Sequence, residues 1–257
     1  MCTLILGLDT AARGSVIVAA NRDEDPARPS APPAVLRDEP RVAGGRDLLK
    51  GGTWLAVRGR RAAIAMLNRR PDPALPGRRS RGLLALEVAS AGDGGPEAAL
   101  HAARESARPG EFAPFSLLYA SADACWLLAN DGAGVREKRI GPGWHVITHA
   151  DLDDVREART RWLMRALAEF APTGPEEAER GLMELLRLHG GERRAGGEPA
   201  PPVCLHAGRM RTVSTALVYL ARDAARYVHV EGPPCTGRPI DCTNLLDAAS
   251  PARADRP

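Results

Sequence analysis

The chain has 257 residues, enough for a substantial core, and we expect a single domain that spans residues 1–257. Apolar residues make up 44% of the sequence and charged residues 26%, a globular mixture that excludes a disordered or fibrous chain. The 35 basic and 32 acidic side chains leave a formal charge of +3, which is too small to predict a nucleic-acid partner.

The cysteines and the apolar runs predict a cytoplasmic protein. The five cysteines are scattered and include no CxxC pair, unlike the framework of a small secreted protein. The N-terminal apolar run lacks the basic leader of a signal peptide. No run approaches the roughly 18 apolar residues that a membrane helix needs. We therefore expect no membrane span.

Paired strands are predicted for the first part of the chain. Apolar segments at 2–8 and 14–20 flank turn residues, so they predict a β-hairpin whose second strand ends at 21–24. The proline-rich stretch 25–40 predicts an extended surface loop, because proline cannot donate to a strand ladder. Two further strands are predicted at 53–57 and 61–67.

Helices and strands then alternate in groups. Helical spacing is present at 83–91, at 96–107 and onward from Val155. A strand meander is predicted at 116–120, 125–129 and 135–140. Thr173-Gly-Pro-Glu176 predicts a capping box that starts a further helix. The final strands are predicted at 203–206, 212–220 and 226–231, followed by a poorly packed, peripheral tail from Pro233. This order favours an α+β fold with separate sheet and helix layers.

Cys2 is the strongest candidate for a catalytic residue. Removal of an initiator methionine is favoured before a small residue, so the mature chain would begin with a thiol and an α-amine on one residue. Reference pKa values near ~8 for the amine and ~8.5 for the thiol allow the amine to serve as a base for the sulfur. The position alone is equally compatible with a small apolar residue that starts a strand.

The predicted hairpin brings the end of its second strand beside Cys2. Arg22 and Asp23 would then lie next to the thiol. A guanidinium there would lower the thiol pKa, and a carboxylate would hold the α-amine. Four consecutive polar residues at a strand end are also compatible with a solvated turn.

Several segments together resemble the NRDE family, also called the transport-and-Golgi-organisation-2-like proteins. They are Met1-Cys2, Ala19-Ala-Asn-Arg-Asp-Glu24, Gly51-Gly-Thr-Trp-Leu55, Leu67-Asn68, Ser80-Arg-Gly-Leu83, Gly143-Trp-His-Val-Ile-Thr-His149, Val203-Cys-Leu-His206 and Thr212-Val-Ser-Thr215. The resemblance reaches to about Glu231. It implies the four-layer αββα sandwich of N-terminal-nucleophile (Ntn) hydrolases, related to choloylglycine hydrolases and penicillin V acylases.

The resemblance also implies roles for individual residues. Carried over by position, Cys2 is the nucleophile, Arg22 and Asp23 are its catalytic neighbours, and Asn68 is a candidate oxyanion donor. We expect substrate contacts from Asn21, Glu24, Trp54, His149 and Arg211. The function implied is hydrolysis of a C–N amide bond in a small-molecule amide or acyl substrate, without a cofactor.

Two departures from the family pattern bear on that function. The related hydrolases have another asparagine where this chain has Thr148-His149, which weakens the case for ordinary amide hydrolysis. The family's late Tyr-Gly-Thr-Arg-Ser-Ser-like element reads Arg209-Met-Arg-Thr-Val-Ser-Thr215 here, where Arg211 would supply the missing cation.

The resemblance leaves a second function open, that of a non-catalytic carrier of haem or acyl-CoA. Haem would require an axial ligand, and the conceivable ones are His145, His149, His206 and Cys2. The phosphates of acyl-CoA would suit the arginines Arg69, Arg70, Arg78, Arg79 and Arg81, which are equally compatible with an ordinary solvated loop. Neither Cys204 with His206 nor Cys235 with Cys242 has a zinc-site spacing, so no metal is expected.

Overall fold

The computed structural model describes residues 2–70, 78–92, 95–108, 110–192 and 197–247. The strands in chain order are β1 Thr3–Leu8, β2 Val16–Glu24, β3 Ser30–Arg37, β4 Val42–Asp47, β5 Leu55–Arg58, β6 Ala62–Asn68, β7 Phe115–Ser121, β8 Cys125–Asn130, β9 Val135–Arg139, β10 Gly143–Ile147, β11 Arg211–Leu220, β12 Ala225–Glu231 and β13 Pro239–Asp241. The helices are α1 Arg81–Ser90, α2 Gly95–Ser106, α3 Ala158–Leu167 and α4 Pro175–Leu186, with a short 3-10 helix at Thr243–Leu246.

The strands form two antiparallel sheets. The first sheet has the order β10-β1-β2-β11-β12-β13, and the second has the order β3-β4-β5-β6-β7-β8-β9. The first sheet packs on α3 and α4, and the second packs on α1 and α2. A third apolar core fills the space between the two sheets. The layers therefore follow the expected αββα order, and the predicted fold class is confirmed.

Strand β1 shows why the sheets are buried on both faces. Leu4 and Leu6 belong to the core between the sheets, whereas Ile5 belongs to the core under α3 and α4. Because successive strand residues face opposite sides, a strand between two apolar layers reads as a continuous apolar run. The same reasoning explains β2, whose register with β1 confirms the predicted hairpin.

The predicted loop at 25–40 is wrong in part, because its middle, Ser30–Arg37, forms β3. This strand lies at an edge of the second sheet, where the absence of proline N–H donors is tolerated. The ladder with β4 shifts register between Ala31 and Ala34, so Pro32 and Pro33 fall in an irregularity. Strand β4 was not predicted because it contains Gly44 and Gly45, which lower strand propensity.

Three other predictions need correction. Residues 203–206 form no strand and follow an irregular path before β11. The segment from Pro233 to residue 247 is not peripheral, because it forms β13 and buries Cys242 and Leu246 between the sheets; residues 248–257 lie outside the described part. Helix α4 begins at Pro175, and the carboxylate that accepts the Thr173 N–H is that of Glu177, not Glu176.

Candidate active site

Cys2 lies against the end of β2, as the hairpin predicts. Thr3 pairs with Asn21, which places Cys2 opposite Arg22 at the end of the ladder. The Asp23 N–H donates to the Cys2 sulfur at 3.4 Å, and the thiol approaches the Asp23 carbonyl oxygen at 3.7 Å. The predicted contact between the thiol and the Arg-Asp pair is therefore present.

Arg22 and Asp23 lie on opposite faces of the first sheet. Cys2 packs against the core between the sheets, and the guanidinium of Arg22 covers the Trp54 ring on the same side, 4.1 Å from its centre. The side chain of Asp23 faces α3 instead, with Oδ2 3.8 Å from a guanidinium nitrogen of Arg159. The alternation along a strand therefore gives the thiol a cation on its own face and a carboxylate behind it.

A narrow cleft opens between the sheets at Cys2. Its open volume is about 30 Å³, which is space for a water-sized group. A larger substrate group can enter only if a wall residue moves. The walls are formed by Cys2, Thr3, Leu4, Ala20, Asn21, Arg22, Trp54, Leu55, Ala65, Met66, Leu67, Ser214 and Ala216.

Arg22 is a fixed part of this cleft. Its side chain is buried and donates to the Ser30 hydroxyl at 3.0 Å, while Glu24 lies 4.0 Å away. Burial lowers the pKa of Arg22, and the carboxylate of Glu24 opposes that shift. The cation is thus held by β3 and by Trp54, so it cannot swing freely into solvent.

The thiol of Cys2 does not ionise readily in this setting. Burial raises its pKa to about 11, and the nearby carboxylates of Asp23 and Glu24 add to the increase, against the Asp23 N–H hydrogen bond. The pKa of Cys2 is thus raised, opposite to the decrease predicted from Arg22. A pKa of about 11 leaves a thiolate fraction on the order of 10⁻⁴ at neutral pH. Attack by the sulfur therefore requires a base.

Asp23 is buried and bound on the helix side of the sheet. Its carboxylate accepts the Thr212 hydroxyl at 2.6 Å. Burial raises the pKa of Asp23, whereas the Thr212 hydrogen bond and the charge of Arg159 lower it. Arg159 also donates to the Thr3 hydroxyl at 2.6 Å, so α3 is attached to the start of β1 beside the thiol.

A β-bulge in β11 aims Thr212 at Asp23. Thr215 pairs with Asn21 and Ser214 with Arg22, but Thr212, not Val213, pairs with Asp23. Without the extra residue, Thr212 and Thr215 would point to opposite faces, since they are three positions apart. The bulge puts both hydroxyls on the helix face and leaves Ser214 in the wall of the cleft.

The remaining predicted residues are distributed around the cleft, and their roles stay predictions. Asn21 is fully buried, and its side chain binds the carbonyl oxygens of Leu186 and Val203 and the hydroxyl of Thr215. Through these hydrogen bonds, the side-chain amide of Asn21 attaches α4 to β2. Its side chain therefore faces away from the space between the sheets.

Five predicted residues lie outside the walls of this cleft: Asp23, Glu24, Asn68, His149 and Arg211. Asn68 ends β6 directly after Leu67, which does line it. His149 follows β10, and burial together with the charge of Arg70 lowers its pKa. Arg211 is exposed at the start of β11, opposite Glu24, and donates weakly to the Gly208 carbonyl oxygen at 3.4 Å.

Sequence reasoning missed Thr212, Ser214 and Arg159 as neighbours of the site. The motif Thr212-Val-Ser-Thr215 drew attention to β11 but gave no register for it. Arg159 had no signal beyond its place in a helix, because its approach to Asp23 depends on how α3 packs against the first sheet.

Most of the side chains suggested as contacts for haem or acyl-CoA already make hydrogen bonds or ion pairs within the protein. Both ring nitrogens of His145 are engaged, with Asp153 at 2.7 Å and the Gly141 carbonyl oxygen at 3.0 Å. Arg69 is buried against Asp151 and the Ala150 carbonyl oxygen. Arg79 binds Glu87 and Glu111, and Arg81 binds the Pro114 carbonyl oxygen.

The two packed sheets and their helix layers define an Ntn-hydrolase-like fold. Among solved structures, the N-acylethanolamine-hydrolyzing acid amidase ortholog of Caenorhabditis elegans is similar, with a TM-score of 0.56 at 14% identity over 84% of this chain and 92% of that one. Two variants of the conjugated bile acid hydrolase of Clostridium perfringens are also similar, at TM-scores of 0.60 and 0.57, each at 11% identity over 96% of this chain and 94% of that one.

The family follows from the sequence itself. The sequence model of the Transport and Golgi organisation 2 family matches residues 1–189, so the chain belongs to that family. The predicted resemblance is confirmed. No curated protein sequence matches this chain. Within the described residues, no helix is both long enough and apolar enough to cross a membrane.

Proposed function

We propose that this protein is a cysteine amidohydrolase that cleaves a C–N amide bond of a small molecule, with Cys2 as an N-terminal nucleophile after removal of Met1. The observation that carries the proposal is the position of the Cys2 sulfur, in the wall of a cleft and within hydrogen-bonding distance of the Asp23 N–H. The likeness in fold to an acid amidase and to a conjugated bile acid hydrolase supports the same proposal.

Removal of Met1 would supply the base that the thiol lacks. The α-amine of Cys2 would accept the thiol proton as the sulfur adds to the substrate carbonyl carbon. The resulting ammonium would return a proton to the leaving nitrogen when the C–N bond breaks. Water would then attack the thioester, releasing the carboxylic acid and restoring the thiol. Each proton taken in one step is returned in the next.

The neighbours of Cys2 suit distinct parts of this cycle. Asp23, fixed by Thr212, would hold the α-ammonium at the start of β1. Arg22 offers a buried cation on the face of the cleft, where negative charge develops on the carbonyl oxygen. Asn68, one residue beyond the wall residue Leu67, is the proposed amide donor to that oxygen.

Intact-mass analysis of the purified protein tests the first requirement. We expect the mass of the chain without Met1. A panel of small-molecule amides is then screened for hydrolysis, with brief acid quenching to trap an acyl adduct on the Cys2 peptide. Cys2→Ala should abolish turnover, and Cys2→Ser should retain a trace of it.

Cys125→Ala is the matched control, because Cys125 is a buried thiol in β8 that does not line the cleft. This variant should keep the wild-type rate. A retained Met1, or full turnover in Cys2→Ala, would overturn the proposal.

The five cysteines are all free thiols, which supports the further proposal of a cytoplasmic location.

The carrier function remains a prediction of the sequence alone. Titration of the purified protein with haem, followed by the Soret absorbance, is the direct test of that alternative.

A further inference from the structure

A cluster of two histidines and two cysteines lies outside the candidate active site. The ligand atoms of His189, Cys204, His206 and Cys235 all lie within 4.8 Å of one another. We propose that these four side chains bind a zinc ion in a Cys2His2 site. Two thiolates and two imidazoles form one of the common ligand sets of structural zinc.

Several distances within the cluster are close to those of a tetrahedral site. Zn–S bonds of about 2.3 Å and Zn–N bonds of about 2.0–2.1 Å put the two sulfurs about 3.8 Å apart, the two nitrogens about 3.3 Å apart and a mixed pair about 3.6 Å apart. The sulfurs of Cys204 and Cys235 are 3.8 Å apart, and the Nε2 atoms of His189 and His206 are 3.2 Å apart.

The nitrogen–sulfur distances agree less uniformly with those around a tetrahedral zinc ion. His206 Nε2 lies 3.5 Å from the Cys204 sulfur and 3.1 Å from the Cys235 sulfur. The second distance is short by about 0.5 Å, a difference that a small rotation of the partly exposed Cys235 side chain removes. Of the six separations among four ligand atoms, three therefore match a bound ion to within about 0.1 Å, and the two between His189 and the sulfurs are no longer than 4.8 Å.

Backbone contacts hold the three contributing segments together without the ion. The N–H groups of Val203 and Cys204 both donate to the Leu188 carbonyl oxygen at 2.8 Å, which fixes Cys204 beside His189. The Arg187 side chain donates to the Pro234 carbonyl oxygen at 2.9 Å, which brings the loop of Cys235 to the end of α4. The ligands are thus pre-arranged by the fold.

These contacts also explain why spacing in the sequence predicts no metal site. His189 follows α4, Cys204 and His206 precede β11, and Cys235 lies between β12 and β13. Zinc sites are recognised in a sequence by ligand pairs with about two to five residues between the two ligands. Here the short pair is Cys204 with His206, and the other two ligands come from distant segments.

The site is closed, because four protein side chains fill a tetrahedral coordination shell and leave no position for substrate. Such sites are structural rather than catalytic. The segment that it fixes continues to the candidate active site. The Leu205 N–H, between two of the ligands, donates to the Thr212 hydroxyl, and that hydroxyl donates to Asp23. The ion would therefore hold the segment that positions Asp23.

Metal analysis of untagged full-length protein, purified without chelator from zinc-supplemented cells, tests the proposal. We expect about one zinc ion per chain, and X-ray absorption with about two sulfurs at 2.3 Å and about two nitrogens at 2.0 Å. Replacement by Co²⁺ should give the intense visible and near-ultraviolet bands of a tetrahedral thiolate site. These measurements need no variant.

Variants assign the ligands. Cys235→Ser and His206→Gln should each lose most of the bound zinc and lower the Tm. The controls are Cys242→Ser, a buried thiol elsewhere, and His101→Gln, an exposed histidine on α2, and both should keep the metal. The proposal is overturned by protein that neither contains nor takes up zinc, by a Cys204–Cys235 disulfide in the purified protein, or by full zinc content in Cys235→Ser. Zinc content is measured without turnover, so its result is independent of the proposed hydrolase activity.

Discussion

The hydroxyl of Thr212 donates to the carboxylate of Asp23 across 2.6 Å, on the face of the first sheet opposite the Cys2 thiol. The same oxygen accepts the Leu205 N–H at 2.9 Å. A single hydroxyl thus joins the bulged strand β11, the end of β2 and the segment that carries Cys204 and His206. A change at this position tests how far the active site depends on the far side of the sheet.

Thr212→Val removes this hydroxyl and keeps the side-chain shape. The buried carboxylate and the Leu205 N–H each lose a partner, so we expect a loss of about 1–3 kcal/mol in the free energy of unfolding. The measurement is urea denaturation. Thr212→Ser retains the hydroxyl and should lie much closer to the wild type. Equal losses in the two variants would show that the methyl group, not the hydrogen bonds, matters here.

Gly45→Ala should disturb the partner of Arg22. A Cβ at Gly45 would lie 2.4 Å from the Trp54 ring, so the ring must move or β4 must bend. We expect destabilisation of about 1–3 kcal/mol and faster alkylation of Cys2, since a displaced Trp54 widens the cleft. Urea denaturation and peptide mass analysis after iodoacetamide treatment measure the two effects.

Gly134→Ala is the control for that experiment, because a Cβ there meets no atom within 4 Å. It should change neither quantity appreciably. Alkylation of Cys2 at the same rate in both glycine variants would show that Trp54 does not limit access to the thiol.

His145 should stabilise the protein more at acid pH than at alkaline pH. Its hydrogen bond with Asp153 raises its pKa in the folded state, with burial opposing the shift. A raised pKa means that the stabilisation is complete below the unfolded value of about 6.5 and is lost as the pH rises through the folded pKa. His145→Gln should therefore cost more stability at about pH 5.5 than at about pH 9.

A double-mutant cycle isolates this pair. In an Asp153→Asn background, the effect of His145→Gln should lose most of its pH dependence. Asparagine suits the backbone there, because Asp153 has a φ of 59°. A pH dependence that persists in this background would assign the effect to another group, and unfolding curves at the two pH values decide the matter.

Leu246→Ala should show that the C-terminal segment is part of the core. Leu246 is 2% exposed and packs between the sheets. Truncation should cost about 2–5 kcal/mol in the free energy of unfolding, as for other buried leucines. Leu48→Ala, at a leucine that is 57% exposed, should have little effect. Similar losses in the two variants would place the segment outside the cooperative core.

The hairpin and its consequence for Cys2 were predictable because they are local. Two adjacent apolar segments with a turn between them can pair in few ways, and antiparallel pairing brings the end of the second strand beside the start of the first. That geometry placed Arg22 and Asp23 beside the thiol. It did not predict the net rise in the thiol pKa, because burial of Cys2 depends on the second sheet packing over it.

Strand β3 was not predicted because it contains prolines, and the physical reason for this failure is different. Sequence patterns describe an average strand, but an edge strand makes ladder hydrogen bonds on one side only and tolerates residues without a donor. Only the order of strands in the second sheet identifies Ser30–Arg37 as such an edge. The segment from Pro233 was wrongly predicted to be peripheral for a similar reason, because the burial of Leu246 depends on the space left between the two sheets.

The motifs of the amino-acid sequence were sufficient to recognise the family, and that resemblance implied the four-layer fold. The position of Cys2 at the end of β2 was predictable because it depends on two neighbouring strands. The tertiary structure decided which face each side chain occupies. One extra residue at Val213 turns Thr212 towards Asp23. The contacts of Leu188 and Arg187 bring the three segments of the histidine–cysteine cluster together. Both depend on the register and packing of residues far apart in the chain, which no local pattern specifies.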